Sequence, residues 1–277
     1  METLKTHYLD ISGRKLAYVE QGKDSHGALI LIHGNSNSKE VFKKQFSKEL
    51  TARYRVIAVD LPGHGESSHD PRADTSPEVY SLGYYAETLA AFARALGVSR
   101  PLLIGHSLGG HVATHATRHC ESSGLLTLQA PPLESYEDLG RAFNPIPGLA
   151  ALFGEVPSEE QLENLMENFF PDGKPDPIAL AGFRRTDPKC RRNVGQSLSP
   201  GTEIGEQTQI RQAKIPVAIV FAERDGLISA QYMDQLKLPN LWRGRVIRLS
   251  QCGHYPQLTH PDEFNALLSA FAADVLG

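Results

Sequence analysis

The stretch Pro101-Leu102-Leu103-Ile104-Gly105-His106-Ser107-Leu108-Gly109-Gly110 restricts the possible folds of this chain more than any other. Leu102 to Ile104 reads as a short buried strand, and a helix-compatible run starts at Leu108. Gly105-x-Ser107-x-Gly109 must therefore turn sharply from strand to helix. Residues two before and two after the serine face each other across such a turn, and a side chain at either would push strand and helix apart. Ser107 is forced toward an unfavourable backbone region, and strain of that kind persists only where the surroundings enforce it. The turn exposes the Ser107 hydroxyl over the amino end of the following helix, where the helix dipole favours a developing negative charge. The bland alternative is a Gly-rich turn in an ordinary βα unit.

Upstream, two alternating segments, 6–11 and 15–20, are joined at Ser12-Gly13 and predict a β-hairpin. The apolar run 28–33 predicts a buried strand ending in the polar loop Gly34-Asn35-Ser36-Asn37-Ser38, with a helix expected near 39–50. A second buried strand over 55–60 ends in Leu61-Pro62-Gly63-His64-Gly65-Glu66-Ser67, and a helix over 82–96 precedes the Ser107 strand. Further strands are expected at 125–129, 217–221 and 246–249. The last helix begins at Pro261 with Phe264, Leu267, Leu268 and Phe271 on one face. Strands alternating with helices imply an α/β chain, doubly wound around a mostly parallel sheet.

The interval 133–210 breaks this rhythm. It is rich in proline and glycine and has no clear buried strand, and Ser158, followed by Glu159, Glu160 and Gln161, caps one predicted helix over 158–170. An insertion of this length over the carboxyl ends of the strands would form a helical lid. The expected organisation is a core made of 1–132 and 211–277, with 133–210 as the lid. Leu149, Leu152, Phe153, Leu162, Leu165, Met166, Phe169 and Phe170 could line a pocket beneath it or could simply pack.

Composition narrows the classes. With 40% hydrophobic and 22% charged residues the chain can build a packed core. The net charge of -4 gives no electrostatic reason to expect a nucleic-acid partner. No apolar run approaches the roughly 18 residues of a membrane span, and Met1-Glu2-Thr3-Leu4-Lys5 does not begin a signal peptide. Cys120, Cys190 and Cys252 lack metal or redox spacing, so a cytoplasmic protein with reduced thiols is expected. Nothing indicates a membrane partner, and a monomer or a homodimer is expected.

The His33-Gly34 loop, Asp60 to Ser67, Gly105-His106-Ser107-Leu108-Gly109 and the late Gly253-His254, in that order, resemble the α/β-hydrolase fold superfamily from about residue 6 to the end, apart from the insertion. His33-Gly34-Asn35-Ser36, Arg185-Thr186-Asp187 and Leu241-Trp242-Arg243-Gly244 are similar to the α/β-hydrolase type of N-acyl-homoserine lactonase. The resemblance implies an acyl-homoserine lactone as substrate, its fatty chain under the lid.

The residues support such chemistry independently. A serine hydroxyl needs a base to take its proton and a third group to orient the base. In this fold the nucleophile is followed by an acid and then a histidine. Ser107 is followed by Asp225, just after the 217–221 strand, and by His254, just after the 246–249 strand. Glu223, and Glu134 after the preceding strand, are alternative acids, although Asp225 fits the usual position best. The oxyanion formed on attack needs preorganised donors, and the backbone N–H groups of Leu108 and Asn35 are placed to serve.

His64 reads as structural, in a turn whose backbone Asp60 and Ser67 would hold. His111, His115 and His119 recur every fourth residue on the helix after Ser107. Three such residues span about 12 Å of helix axis, too far to hold one ion. No acid lies between His111 and His115 in the sequence, so the three read as a polar stripe. No metal and no cofactor are expected. The reading is a serine hydrolase acting on a small ester or lactone with an apolar acyl part. Alternatives are a general carboxylesterase, a carbon–carbon bond hydrolase of the same fold, and a ligand receptor that retains the triad. A serine at position 107 argues against epoxide hydrolase or dehalogenase chemistry, for which this fold uses an aspartate.

Overall fold

The computed structural model describes residues 4–23, 25–154, 156–171, 174–202 and 204–277. Met1 to Thr3, part of the amino-terminal stretch read above, lie outside the described residues. The apolar runs become an eight-stranded sheet. The strands are β1 (Thr6–Ile11), β2 (Arg14–Gln21), β3 (Ala28–Ile32), β4 (Arg55–Val59), β5 (Leu102–His106), β6 (Gly124–Leu128), β7 (Val217–Ala222) and β8 (Ile247–Leu249). Their order is β1-β2-β4-β3-β5-β6-β7-β8. The β1–β2 hairpin joins β4 antiparallel, and every later pairing is parallel. β3, β5, β6 and β7 are buried along their whole length, as strands covered on both faces must be.

The order sets the position of the site. From β3 the chain passes to β4 on one side, and β5 then returns to pair with β3 on the other, Ile32 opposite Gly105. The loops leaving β3 and β5 therefore diverge, and the crevice between them lies at the carboxyl ends of the strands. Ser107 and Asn35 stand on these two loops.

The helices are α1 (Lys48–Arg53), α2 (Leu82–Ala95), α3 (Leu108–Ala116), α4 (Leu139–Ala142), α5 (Glu159–Phe169), α6 (Pro177–Arg185), α7 (Pro188–Ser197), α8 (Glu206–Gln212), α9 (Ala230–Gln235), α10 (Pro256–Thr259) and α11 (Pro261–Leu276). α4 to α8 lie in the interval between β6 and β7. α5 starts on a capping box in which Ser158 Oγ accepts from Gln161 N at 3.1 Å and Gln161 Oε1 accepts from Ser158 N at 2.9 Å. The Arg185-Thr186-Asp187 segment ties this interval to the connection between β4 and α2. Asp187 N donates to Gly63 O at 2.8 Å, and Tyr80 Oη donates to Asp187 Oδ2 at 3.2 Å.

One expected element differs. The single helix foreseen over 39–50 is a 3-10 turn over Lys39–Gln45, followed by α1. A 3-10 turn eclipses every third residue, which puts Lys39, Phe42 and Gln45 on one buried face. Two of those three are polar and each finds a fixed partner. Gln45 Nε2 donates to Asn265 Oδ1 at 2.9 Å, and Lys39 Nζ lies 2.9 Å from Asp60 Oδ2 and 2.8 Å from Glu66 Oε1. Ser47 then caps α1 afresh, accepting from Leu50 N at 3.4 Å.

The Lys39–Asp60 pair is almost wholly enclosed, with the two side chains 2% and 0% exposed. Removing one partner of a buried pair leaves an uncompensated charge. Lys39→Met is expected to destabilise the fold by about 3–5 kcal/mol, measured by urea unfolding. A change below about 1 kcal/mol, the value of a surface pair, would contradict this account.

Candidate active site

Ser107 sits at φ 52 and ψ −123, as the steric reading of its turn required. A Cβ at Gly105 would come within 2.1 Å of Gly109 O, and one at Gly109 within 2.2 Å of Ile32 O. Backbone thus packs directly on backbone, and the strained serine is locked by the contact. Strain at such a residue costs on the order of 1–3 kcal/mol. Ser107 N–H is itself committed, donating to Leu128 O at 2.8 Å. Ser107 is the N-cap of α3, and Leu108 at the first helical position has no intrahelical acceptor for its N–H.

Asp225 and His254 meet, with His254 Nδ1 2.6 Å from Asp225 Oδ2. Two further donors hold the carboxylate. Leu227 N–H donates to Oδ1 at 2.8 Å, and the Gln129 side-chain amide donates to Oδ2. The other end of that amide is fixed too, because Gln129 Oε1 accepts from Ala222 N at 2.6 Å. His254 is held by its backbone and its ring. Its N–H donates to Phe169 O at 2.9 Å, its carbonyl accepts from His106 Nε2 at 2.8 Å, and Phe169 stacks on the imidazole at 4.3 Å. The structure does not bring the alternative acids to this histidine. Glu134 accepts from Thr208 N at 2.9 Å, and Glu223 pairs with Arg248 at 3.0 Å.

Gln129 was foreseen only as the end of a strand. It lies just beyond β6 with φ 53, which turns its side chain back toward β7 and Asp225. A lone amide closing an apolar run is the only trace of this in the sequence, and it names no partner.

Two buried histidines shape the loop opposite Ser107. His33 Nδ1 donates to Gly34 O at 2.8 Å, and its Nε2 accepts from Leu61 N at 3.0 Å. His64 Nδ1 donates to Pro62 O at 3.1 Å, and its Nε2 accepts from Ser36 N at 3.3 Å. Each ring uses one nitrogen as donor and the other as acceptor, so both rings are neutral. Burial agrees, pulling His33 down to about 4 and His64 well below the ordinary imidazole range. His64 is structural, and Ser67 and Asp60 brace its turn as expected. Ser67 Oγ donates to Asp60 O at 2.7 Å, and Asp60 Oδ2 accepts from Glu66 N at 2.9 Å. The Asn35 side-chain amide is occupied, donating to Leu152 O at 2.8 Å, which leaves its backbone N–H as the group on offer.

Ser107, Leu108 and Asn35 border a cavity of about 420 Å³. Leu149, Leu152 and Phe153 of the insertion line it, as do Phe143 and Leu139. Leu162, Leu165, Met166, Phe169 and Phe170 do not, and pack into the core instead. A larger groove of about 860 Å³, bordered by Arg100, Arg118 and Glu134, contains none of Ser107, Asp225 and His254.

His111 is the other polar side chain on the cavity wall, and here the stripe reading needs correction. Glu206, at the start of α8, lies buried with both oxygens 3.0 Å from His111 Nδ1. It also stands 3.3 Å from His115 Nε2 and accepts from Leu133 N at 2.9 Å. The acid that the sequence lacks between the two histidines is supplied from 95 residues away. Burial alone would raise the Glu206 carboxyl, but the imidazoles of His111 and His115 outweigh it and hold it down at about 2. Among the described residues no group of three or more histidine, cysteine, aspartate or glutamate side chains is arranged to hold a metal ion.

Residues 29–267 match the alpha/beta hydrolase family, and the chain belongs to it. In structure it is similar to a variant of the N-acyl homoserine lactonase AidH complexed with N-hexanoyl homoserine, with a TM-score of 0.88 and 31% identity over 99% of this chain and 98% of that one. In sequence it is similar to the pimeloyl-[acyl-carrier protein] methyl ester esterase of Vibrio vulnificus, 28% identical over 91% of this chain and 95% of that protein. It is also similar to bifunctional epoxide hydrolase 2 of Sus scrofa, 26% identical over 92% of this chain and 53% of that protein, so it spans about half of that relative's length. Among the described residues no helix is long and apolar enough to cross a membrane.

Two measurements test the geometry. Gln129→Leu strips a donor from Asp225 and leaves the buried Ala222 N–H unpaired, which is expected to cost about 1–3 kcal/mol of stability and to lower kcat of hydrolysis more than it changes KM. An unaltered kcat in a folded variant would remove Gln129 from this role. Glu206 has a folded pKa below the unfolded carboxyl value, so its stabilisation is present above pH 4.5 and is lost as pH falls from 4.5 toward 2. Acid unfolding of Glu206→Gln should show a correspondingly shallower loss of stability across that window.

Proposed function

We propose that this protein is a serine hydrolase that opens a carboxylic ester or lactone through an acyl-enzyme, with an N-acyl-homoserine lactone as substrate. The observation that carries the reading is the apolar cavity of about 420 Å³ with the strained Ser107 on its wall. The 2.6 Å Asp225–His254 pair supports it, since a base with a fixed tautomer is what the serine needs.

In this reading Ser107 Oγ attacks the substrate carbonyl while His254 takes the hydroxyl proton, and Asp225 steadies the imidazolium. The backbone N–H groups of Asn35 and Leu108 receive the oxyanion. Collapse of the tetrahedral adduct breaks the ester C–O bond, and His254 returns the proton to the departing oxygen. For a lactone that oxygen stays tethered to the acyl group as a free hydroxyl. Water, deprotonated by His254, then attacks the acyl-enzyme and releases the acid. No cofactor or metal is needed.

The segment 133–210 acts as the lid, with the acyl chain against Leu149, Leu152 and Phe153. The AidH likeness, at 31% identity over nearly the whole chain, favours the lactone. The resemblance to the pimeloyl methyl ester esterase favours a second reading, a general carboxylesterase, which uses the same steps. The serine at 107, where epoxide hydrolases of this fold carry an aspartate, weighs against an epoxide as substrate. A monomer or homodimer in the cytoplasm completes the proposal, the three free thiols supporting that compartment.

Ring opening of N-acyl-homoserine lactones of several chain lengths, followed by chromatography beside a simple aryl ester, tests the reading. Lactone opening is expected, with Ser107→Ala lower by at least about 10⁴-fold. Ester cleavage without lactone opening would leave the carboxylesterase.

A further inference from the structure

Helix α5 of the insertion ends between the two loops that carry Asp225 and His254. The last carbonyls of a helix have no intrahelical partner and must find one elsewhere. Here those two loops supply it. Asn168 O accepts from Gly226 N at 3.1 Å, and Phe169 O accepts from His254 N at 2.9 Å. The approach leaves no room for side chains. A Cβ at Gly226 would stand 3.0 Å from Asn168 O, and one at Gly253 would stand 2.5 Å from Phe169 O. One helix end thus fixes both the residue after the acid and the residue before the base.

The same helix end presents a ring. Phe169 lies nearly parallel to the His254 imidazole, with centroids 4.3 Å apart and 16° between the planes. His106 and Tyr255 also approach that imidazole, but at 62° and 81°. Phe169 and His254 are both buried, so water screens the pair little. The face of a phenyl ring is electronegative and attracts a cation more strongly than a neutral imidazole. The carboxyl end of α5 is the negative pole of the helix dipole, which favours the same charge. Both features therefore act on the imidazolium, which exists only while the Ser107 proton is on His254. Interactions that strengthen toward the transition state are the ones that accelerate a reaction. Phe169 does not border the cavity, so it reaches the substrate only through His254.

We propose that Phe169 is a positioning residue for the reaction, holding His254 with its carbonyl and supporting the imidazolium with its ring face. The inference rests on His254 as the base that activates Ser107. It gives the insertion a part in the chemistry besides covering the cavity.

The test replaces Phe169 with 4-fluoro-, 3,5-difluoro- and 3,4,5-trifluorophenylalanine, which drain the ring face of negative charge in steps and barely alter its shape. kcat and KM for 4-nitrophenyl hexanoate are measured per active serine, counted by end-point labelling with a fluorophosphonate. kcat is expected to fall stepwise along the series, by about 2- to 30-fold at the trifluoro variant. KM should stay within about twofold, because no substrate contact is lost. Phe169→Leu, which keeps an apolar side chain without a ring face, should fall at least as far. A merely structural role would lower kcat in Phe169→Leu and leave the fluorinated series level, and that result overturns the proposal. So does a Phe169→Leu protein with the kcat of the wild type. Turnover that survives Ser107→Ala or His254→Ala, or a wild type that neither labels nor cleaves the ester, would instead sink the serine mechanism and take this inference with it.

Discussion

The contact between bare backbone at Gly105, Gly109 and the end of β3 is the constraint on which the rest of the site depends. An added methyl at either glycine would overlap a carbonyl at little more than 2 Å, and no side-chain rearrangement can relieve a clash with main chain. The contact brings α3 hard against β3 and β5. It thereby holds Ser107 in a conformation that it would leave in any looser turn, at the border of the cavity. Leu108 and Asn35 border the same cavity as Ser107. Strain in one residue is thus held by the packing of two strands and a helix, the arrangement in which such strain persists.

Around this fixed point the loops are latched by neutral polar groups rather than by charge. His33 and His64 each join the loop after β3 to the loop after β4, one nitrogen donating and the other accepting. Protonation of either ring would turn an acceptor into a donor facing a donor, so burial that suppresses the charge also preserves the shape. His106 extends the pattern by donating to the carbonyl of His254. Gln129 completes it by joining the backbone of β7 to Asp225. These groups join loops that lie far apart in sequence, and His33, His64 and Gln129 are each satisfied at both ends, which rigidifies a polar site within an apolar core.

The interval between β6 and β7 supplies what the sheet cannot. Leu149, Leu152 and Phe153 provide an apolar wall, Phe169 packs on the His254 ring, and Glu206 closes on His111 and His115 at the far end. The Glu206 carboxylate is compensated by two imidazoles and the Leu133 N–H, so its burial is tolerable only while the interval stays docked. The walls of the cavity and the polarity of one of them therefore share an anchor.

The sequence by itself determined the alternation of strands and helices, the parallel sheet and the turn at Ser107, because periodicity, apolar runs and glycine sterics are local. It also placed Asp225 and His254 on the loops after β7 and β8, where the structure brings them together, since chain order is one-dimensional information. Only the tertiary structure separated Asp225 from Glu134 and Glu223, because proximity to His254 is set by how β7 and β8 pair. The 3-10 turn at Lys39–Gln45 likewise follows from partners on distant segments, Asp60, Glu66 and Asn265, which overrode the local preference for a longer helix. Gln129 and Glu206 were illegible for the same reason. A polar residue at the end of an apolar run, or at the start of a short helix, acquires its meaning from a partner some 95 residues away, and no local pattern encodes that partner.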